Sequence, residues 1–159
     1  EYWDAFLYTI DTTGNVATAT VDIPVDLMTL WALAPETGLI SYGTLALDSD
    51  TGTTNSTTTI RNTGNDSVDV TVEGTDMSAP GSVIPAGNQL YATSSFEYSQ
   101  ASCLICTALS GSASPLEVDL AKPTSTDPVT DDIYWGIYVP TGVAGTTHYG
   151  LNTFYATAD

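Results

Sequence analysis

The chain has 159 residues, enough for one domain with a sizeable core. It carries 19 acidic residues against two basic ones, Arg61 and Lys122, for a formal charge of -17. That balance excludes non-specific nucleic-acid binding, which relies on Lys and Arg neutralising phosphates, and an anionic membrane surface would repel the chain for the same reason.

The opening residues EYWDAFLYTI are apolar on both faces of a strand. With residues 2–10 extended, Tyr2, Phe6, Tyr8 and Ile10 lie on one side, and Trp3, Ala5 and Leu7 on the other. A helix would also gather Trp3, Phe6, Leu7 and Ile10 into a stripe, but aromatic enrichment and the pattern downstream favour the strand. The run TTGN at 12–15 is a turn, and residues 16–25 alternate Ala17, Ala19, Val21, Ile23 and Val25 with Thr18, Thr20, Asp22 and Pro24. The two segments form a hairpin or run to different sheets. LMTLWAL (27–33) is too short to separate helix from strand by period. LISYGTLAL (39–47), with Leu39, Tyr42 and Leu45 as its apolar positions, is read as a strand with a bulge at Gly43, followed by the loop DSDTGTTN and the strand STTTI. NTGN (62–65) has turn chemistry, and Val68, Val70 and Val72 then alternate with Asp69, Thr71 and Glu73. LEVDL (116–120) repeats that alternation, DIYWGIYV (132–139) is apolar on both faces as a central strand would be, and residues 150–158 close the chain as a last strand.

This pattern predicts an all-β fold, an antiparallel β-sandwich with immunoglobulin-like or jelly-roll-like character. Residues 1–35 are read as an N-terminal strand extension and residues 36–159 as the sandwich. Ser and Thr fill roughly a quarter of the positions and basic residues are nearly absent, a composition that suits a secreted or cell-surface protein. Glu1 as first residue fits removal of a signal segment. No run approaches the ~20 apolar residues of a membrane span, so membrane insertion is not expected.

Residues that carry chemistry are sparse. The single histidine, His148, has no nucleophile motif around it, and no G-x-S-x-G elbow, phosphate loop or dinucleotide fingerprint is present. An enzyme is therefore not expected, and no cofactor is called for. Cys103 and Cys106, in the run CLIC, lack the βαβ setting of a redox motif and the further ligands of a zinc site. An oxidising compartment favours a local disulfide over two reduced thiols. Calcium is possible at two acidic loops, Asp48 with Asp50 and Asp127 with Asp131 and Asp132, though neither continues as an EF-hand and a solvated acidic loop is the plainer reading. Two sequons, at Asn55 and Asn65, are candidate glycosylation sites, with Asn55 in the more open loop.

The stretches ISYGTL, IRNTGNDSVDVTVEGTDM and YVPTGVAGTTHYGLNTF together resemble secreted immunoglobulin-like sandwich domains of archaeal and bacterial surface proteins. Val139, Pro140, Gly142, Gly145, Tyr149 and Gly150 carry the later part of that pattern, and the likeness covers roughly residues 39–157. It implies a structural or adhesive role, and some related sandwiches build extracellular filaments. No site residue is implied by it. A terminal strand apolar on both faces must be buried in its own domain or in a neighbour's sheet. The leading expectation is thus a non-enzymatic extracellular structural subunit, a homopolymer held by strand exchange, with Tyr2, Trp3, Phe6, Leu7, Tyr8 and Ile10 as subunit contacts. The alternative is a monomeric cell-surface adhesin or carbohydrate-binding module that uses aromatic residues such as Trp31 or Tyr138 on glycans.

Overall fold

Strands form where β-branched and polar residues alternate. The computed structural model describes residues 5–21, 28–99 and 102–159, and these described residues form thirteen strands and one turn of 3₁₀ helix, Ala86–Asn88. The first two, β1 (Ala5–Ile10) and β2 (Val16–Val21), pair antiparallel from Ala5 opposite Val21 to Ile10 opposite Val16. Asp11 ties their turn: its carboxylate accepts from the backbone and side chains of Thr13 and Asn15 at 2.7–2.9 Å. Those hydrogen bonds, Asn15 foremost, hold Asp11 far below the usual carboxylate range. Of the two arrangements open from sequence, the hairpin is the one formed, and it makes a two-stranded sheet of its own.

Two larger antiparallel sheets face each other. One has six strands: β3 (Leu33–Pro35), β5 (Ser56–Asn62), β12 (Val129–Val139), β9 (Gln89–Ala92) and β10 (Thr107–Ala108) in spatial order, with β4 (Ser49–Asp50) paired to the far end of β12. The other has three, β11 (Ser114–Leu120), β6 (Val68–Gly74) and β13 (Asn152–Ala158). A short hairpin of β7 (Met77–Ala79) and β8 (Ser82–Ile84) follows β6. Val68, Val70 and Val72 point inward from β6 with Leu116, Val118 and Leu120 from β11, and they meet Ile60, Tyr91, Ile133 and Trp135 of the larger sheet. Trp135 is fully buried at the centre, with Tyr91 and Phe154 packed around its ring at 5.5 and 6.1 Å.

β12 carries apolar side chains on both faces because both are covered. Its second face packs against Phe96 and Tyr98, which belong with Leu90 and Ala92 to a smaller cluster that Cys103, Cys106, Tyr134 and Tyr138 flank. The stretch after β9 therefore lies as a strap over the outer side of the large sheet. Tyr98 donates its N–H to Gly52 O at 2.7 Å and its hydroxyl to Asn88 O at 2.8 Å. Cys103 and Cys106 are joined as a disulfide within this strap.

The NTGN turn anchors the segment before β3. Asn65 accepts the Leu30 N–H through Oδ1 at 2.7 Å and donates Nδ2 to Met28 O at 2.9 Å, while Thr63 and Gly64 donate their N–H groups to Ala32 O. Leu33–Pro35, inside the stretch read as an extension, pairs with β5 as an edge strand of the large sheet.

Candidate functional site

The stretch 37–47 departs from its sequence reading in an informative way. Over 39–43 its burial alternates, with Ile40 and Tyr42 turned to the core and Leu39, Ser41 and Gly43 exposed, so Leu39 does not share the side of Tyr42 that the apolar spacing gave it. Yet it joins no sheet, and among the described residues nothing hydrogen-bonds to the backbone of 37–45. With its backbone groups unpaired and Gly43 in the left-handed region at φ 69°, the stretch is a connection whose first part, 37–42, leaves backbone donors and acceptors unused.

Beside it runs a groove formed of two adjoining cavities of about 190 and 540 Å³. The inner one lies between 37–42 and the start of β13, the edge strand of the small sheet. The outer one is closed by the loop 143–149. Neither is lined by a single Asp, Glu, Lys or Arg, in a chain with 19 carboxylates. Gln89 and Thr58 line the inner cavity, both almost wholly buried. Gln89 accepts the Tyr42 hydroxyl through Oε1 at 2.9 Å, but Gln89 Nε2 and Thr58 Oγ1 are buried without a hydrogen-bond partner. Burial pushes the Tyr42 phenol well above its ordinary range.

His148 sits at the junction of the two cavities. Its Nε2 lies 2.8 Å from Ser82 Oγ and its Nδ1 2.9 Å from Thr146 O. With the proton on Nδ1, the ring donates to the carbonyl and accepts the serine hydroxyl. Ser82 Oγ also accepts the Ala144 N–H at 2.8 Å, and Ser82 lines neither cavity. The pair clasps loop 143–149 to the β7–β8 hairpin.

The other candidates are placed as follows. Asp48 accepts the Tyr138 hydroxyl at 2.6 Å, and Asp50 accepts the Gly52 N–H at 2.7 Å. Asp132 accepts the Thr59 hydroxyl, Asp131 caps the Asp132 N–H, and Asp127 N–H is bound by Ser125. Among the described residues the carboxylates that do come together are Asp69, Asp119 and Asp159, whose oxygens lie within 4.8 Å of one another. None of these was a candidate from sequence, because they sit far apart along the chain, on β6, on β11 and just after β13. Asn55 takes the Phe96 N–H on Oδ1, and the nitrogen that would bear a glycan is buried without a partner. At Asn65 that nitrogen is engaged with Met28 O. Trp31 is half exposed beside the NTGN turn, and Tyr138 packs on the strap cluster; neither lines the groove. Tyr2 and Trp3 lie outside the described residues, Phe6, Leu7 and Tyr8 fall on β1, and Ile10 ends that strand largely exposed. Among the described residues no helix is long and apolar enough to cross a membrane.

Comparison with protein-family models, with curated proteins and with solved structures returned no match.

Proposed function

We propose that this chain is a non-enzymatic, extracellular structural subunit that assembles with copies of itself by β-strand addition. The observation that carries the reading is the β1–β2 hairpin, an uncharged two-stranded sheet with no third strand among the described residues. Two-stranded hairpins are marginal in water and gain stability when a further strand or an apolar face covers them. A contact in which one copy's hairpin meets a different surface on the next copy is head-to-tail, and repetition gives an open filament. The immunoglobulin-like character of the sandwich belongs to the same reading, as does secretion, with which the Cys103–Cys106 disulfide agrees.

Electron microscopy of the purified full chain tests this. Regular filaments are expected, growing more abundant with concentration. Single particles of one 16.6 kDa chain at every concentration would refute it.

A further inference from the structure

We infer that the uncharged groove between residues 37–45 and the edge of β13 is the acceptor site for an extended segment, and that its occupant is the β1–β2 hairpin of a second copy. The inference rests on the subunit reading above and assigns the surface that reading leaves open.

Three features make the groove a strand site. Among the described residues the backbone of 37–42 and the start of β13 both lack a neighbouring strand on the groove side, so a hairpin laid there finds hydrogen-bond partners for its outer edges. Residues 37–42, ahead of the left-handed Gly43, are as many as β1 contains, six, so the two segments match in length. Gln89 Nε2 and Thr58 Oγ1, buried without partners at the inner end, are suited to a carbonyl group brought in by an inserted chain.

Charge selects the occupant. With a net charge of -17, most surfaces of two copies repel each other, and a carboxylate pressed into the groove would be desolvated with no cation to meet it. β1, AFLYTI, and β2, VATATV, carry no charge, and the Asp11 carboxylate lies in the turn beyond their paired length. Among the described residues the hairpin pairs with no strand of either large sheet, so its outer edges are open to a second copy. The clasp of His148 on Ser82 holds the outer wall of the groove in place before the segment arrives.

Photo-crosslinking within assemblies tests this on the full chain. A benzophenone amino acid replaces Leu39, which is 76% exposed at the groove's rim and free of core contacts. A second variant carries it at Leu104, 99% exposed on the disulfide loop. Copies labelled with light and heavy nitrogen are mixed before assembly. The expected result is a crosslink from position 39 to residues 5–21 with mixed isotopes, and a yield at least tenfold lower from position 104. Crosslinks from position 39 to residues 5–21 of the same copy, crosslinks to any other region, or assemblies in which only position 104 reacts would overturn the groove assignment while leaving the subunit reading intact. Binding of a neutral oligosaccharide to this groove in a chain that stays monomeric would overturn both.

Discussion

A methyl group added to Gly64 would lie 2.1 Å from the carbonyl oxygen of Leu30 and 2.9 Å from the Ala32 nitrogen. Both are backbone atoms held by the NTGN turn, so the contact cannot be relieved by turning a side chain. Gly64→Ala should cost on the order of 1–3 kcal/mol in a denaturant titration and detach residues 28–32 before the sandwich unfolds. Wild-type stability for that variant would show that the turn does not hold the segment. Tyrosines give a second residue-scale test. Burial, with smaller contributions from Asp50 and Tyr138, raises the Tyr98 phenol from 10.0 to about 12. Burial also raises Tyr42, while hydrogen bonds to Asp48 and Glu73 raise Tyr138 and Tyr155. A phenol whose folded value lies above its unfolded one favours the fold fully below pH 10.0, and that contribution is lost as pH climbs toward about 12. Tyrosinate absorbance should therefore develop in two stages, the second coinciding with loss of the β-sheet signal. A single transition at the ordinary value would contradict the buried placement of Tyr42 and Tyr98.

At the scale of elements, the strap over the large sheet is held by two kinds of contact. Gly136, on β12, leaves room for it: a Cβ there would meet Tyr98 and Phe96 at 3.0 and 3.1 Å. The disulfide closes only a short loop and contributes about 2 kcal/mol on the chain-entropy argument. Reduction should therefore leave the sheet signal intact while proteolytic cleavage appears between residues 93 and 106. Unfolding of the whole chain on reduction would mean that the strap carries the fold. Much of this level was legible in the sequence. The alternation at 68–72 and 116–120 gave inward faces that the structure keeps, and the double-faced run 132–139 became a central strand with both faces covered. The run 39–47 shows where such reading stops. Its apolar spacing of Leu39, Tyr42 and Leu45 places Tyr42 against the core but fails at Leu39, which is 76% exposed, and pairing is a property of neighbours that a single segment does not encode. The Ser82–His148 clasp and the orphaned Gln89 and Thr58 atoms were invisible for the same reason: each depends on residues brought together from distant parts of the chain.

For the whole molecule, the governing fact is charge. The ion pair of Arg61 with Glu36, at 3.7 Å, joins two partly exposed side chains and offsets little of the repulsion among the acids. Three carboxylates, Asp69, Asp119 and Asp159, even converge on the small sheet. Raising ionic strength from about 10 mM to about 500 mM should raise Tm and promote assembly together, because screening weakens repulsion within and between copies. A Tm that falls with salt would place the balance elsewhere. Assembly through an uncharged groove makes a sharper demand, namely that a single charge placed there should stop it. Sedimentation of the wild-type chain and the Leu39→Asp variant, side by side in one buffer, measures this directly. The wild type should pellet as polymer and the variant should remain a monomer with unchanged circular dichroism and Tm, whereas polymer of equal abundance from both chains would contradict the groove as the site of assembly.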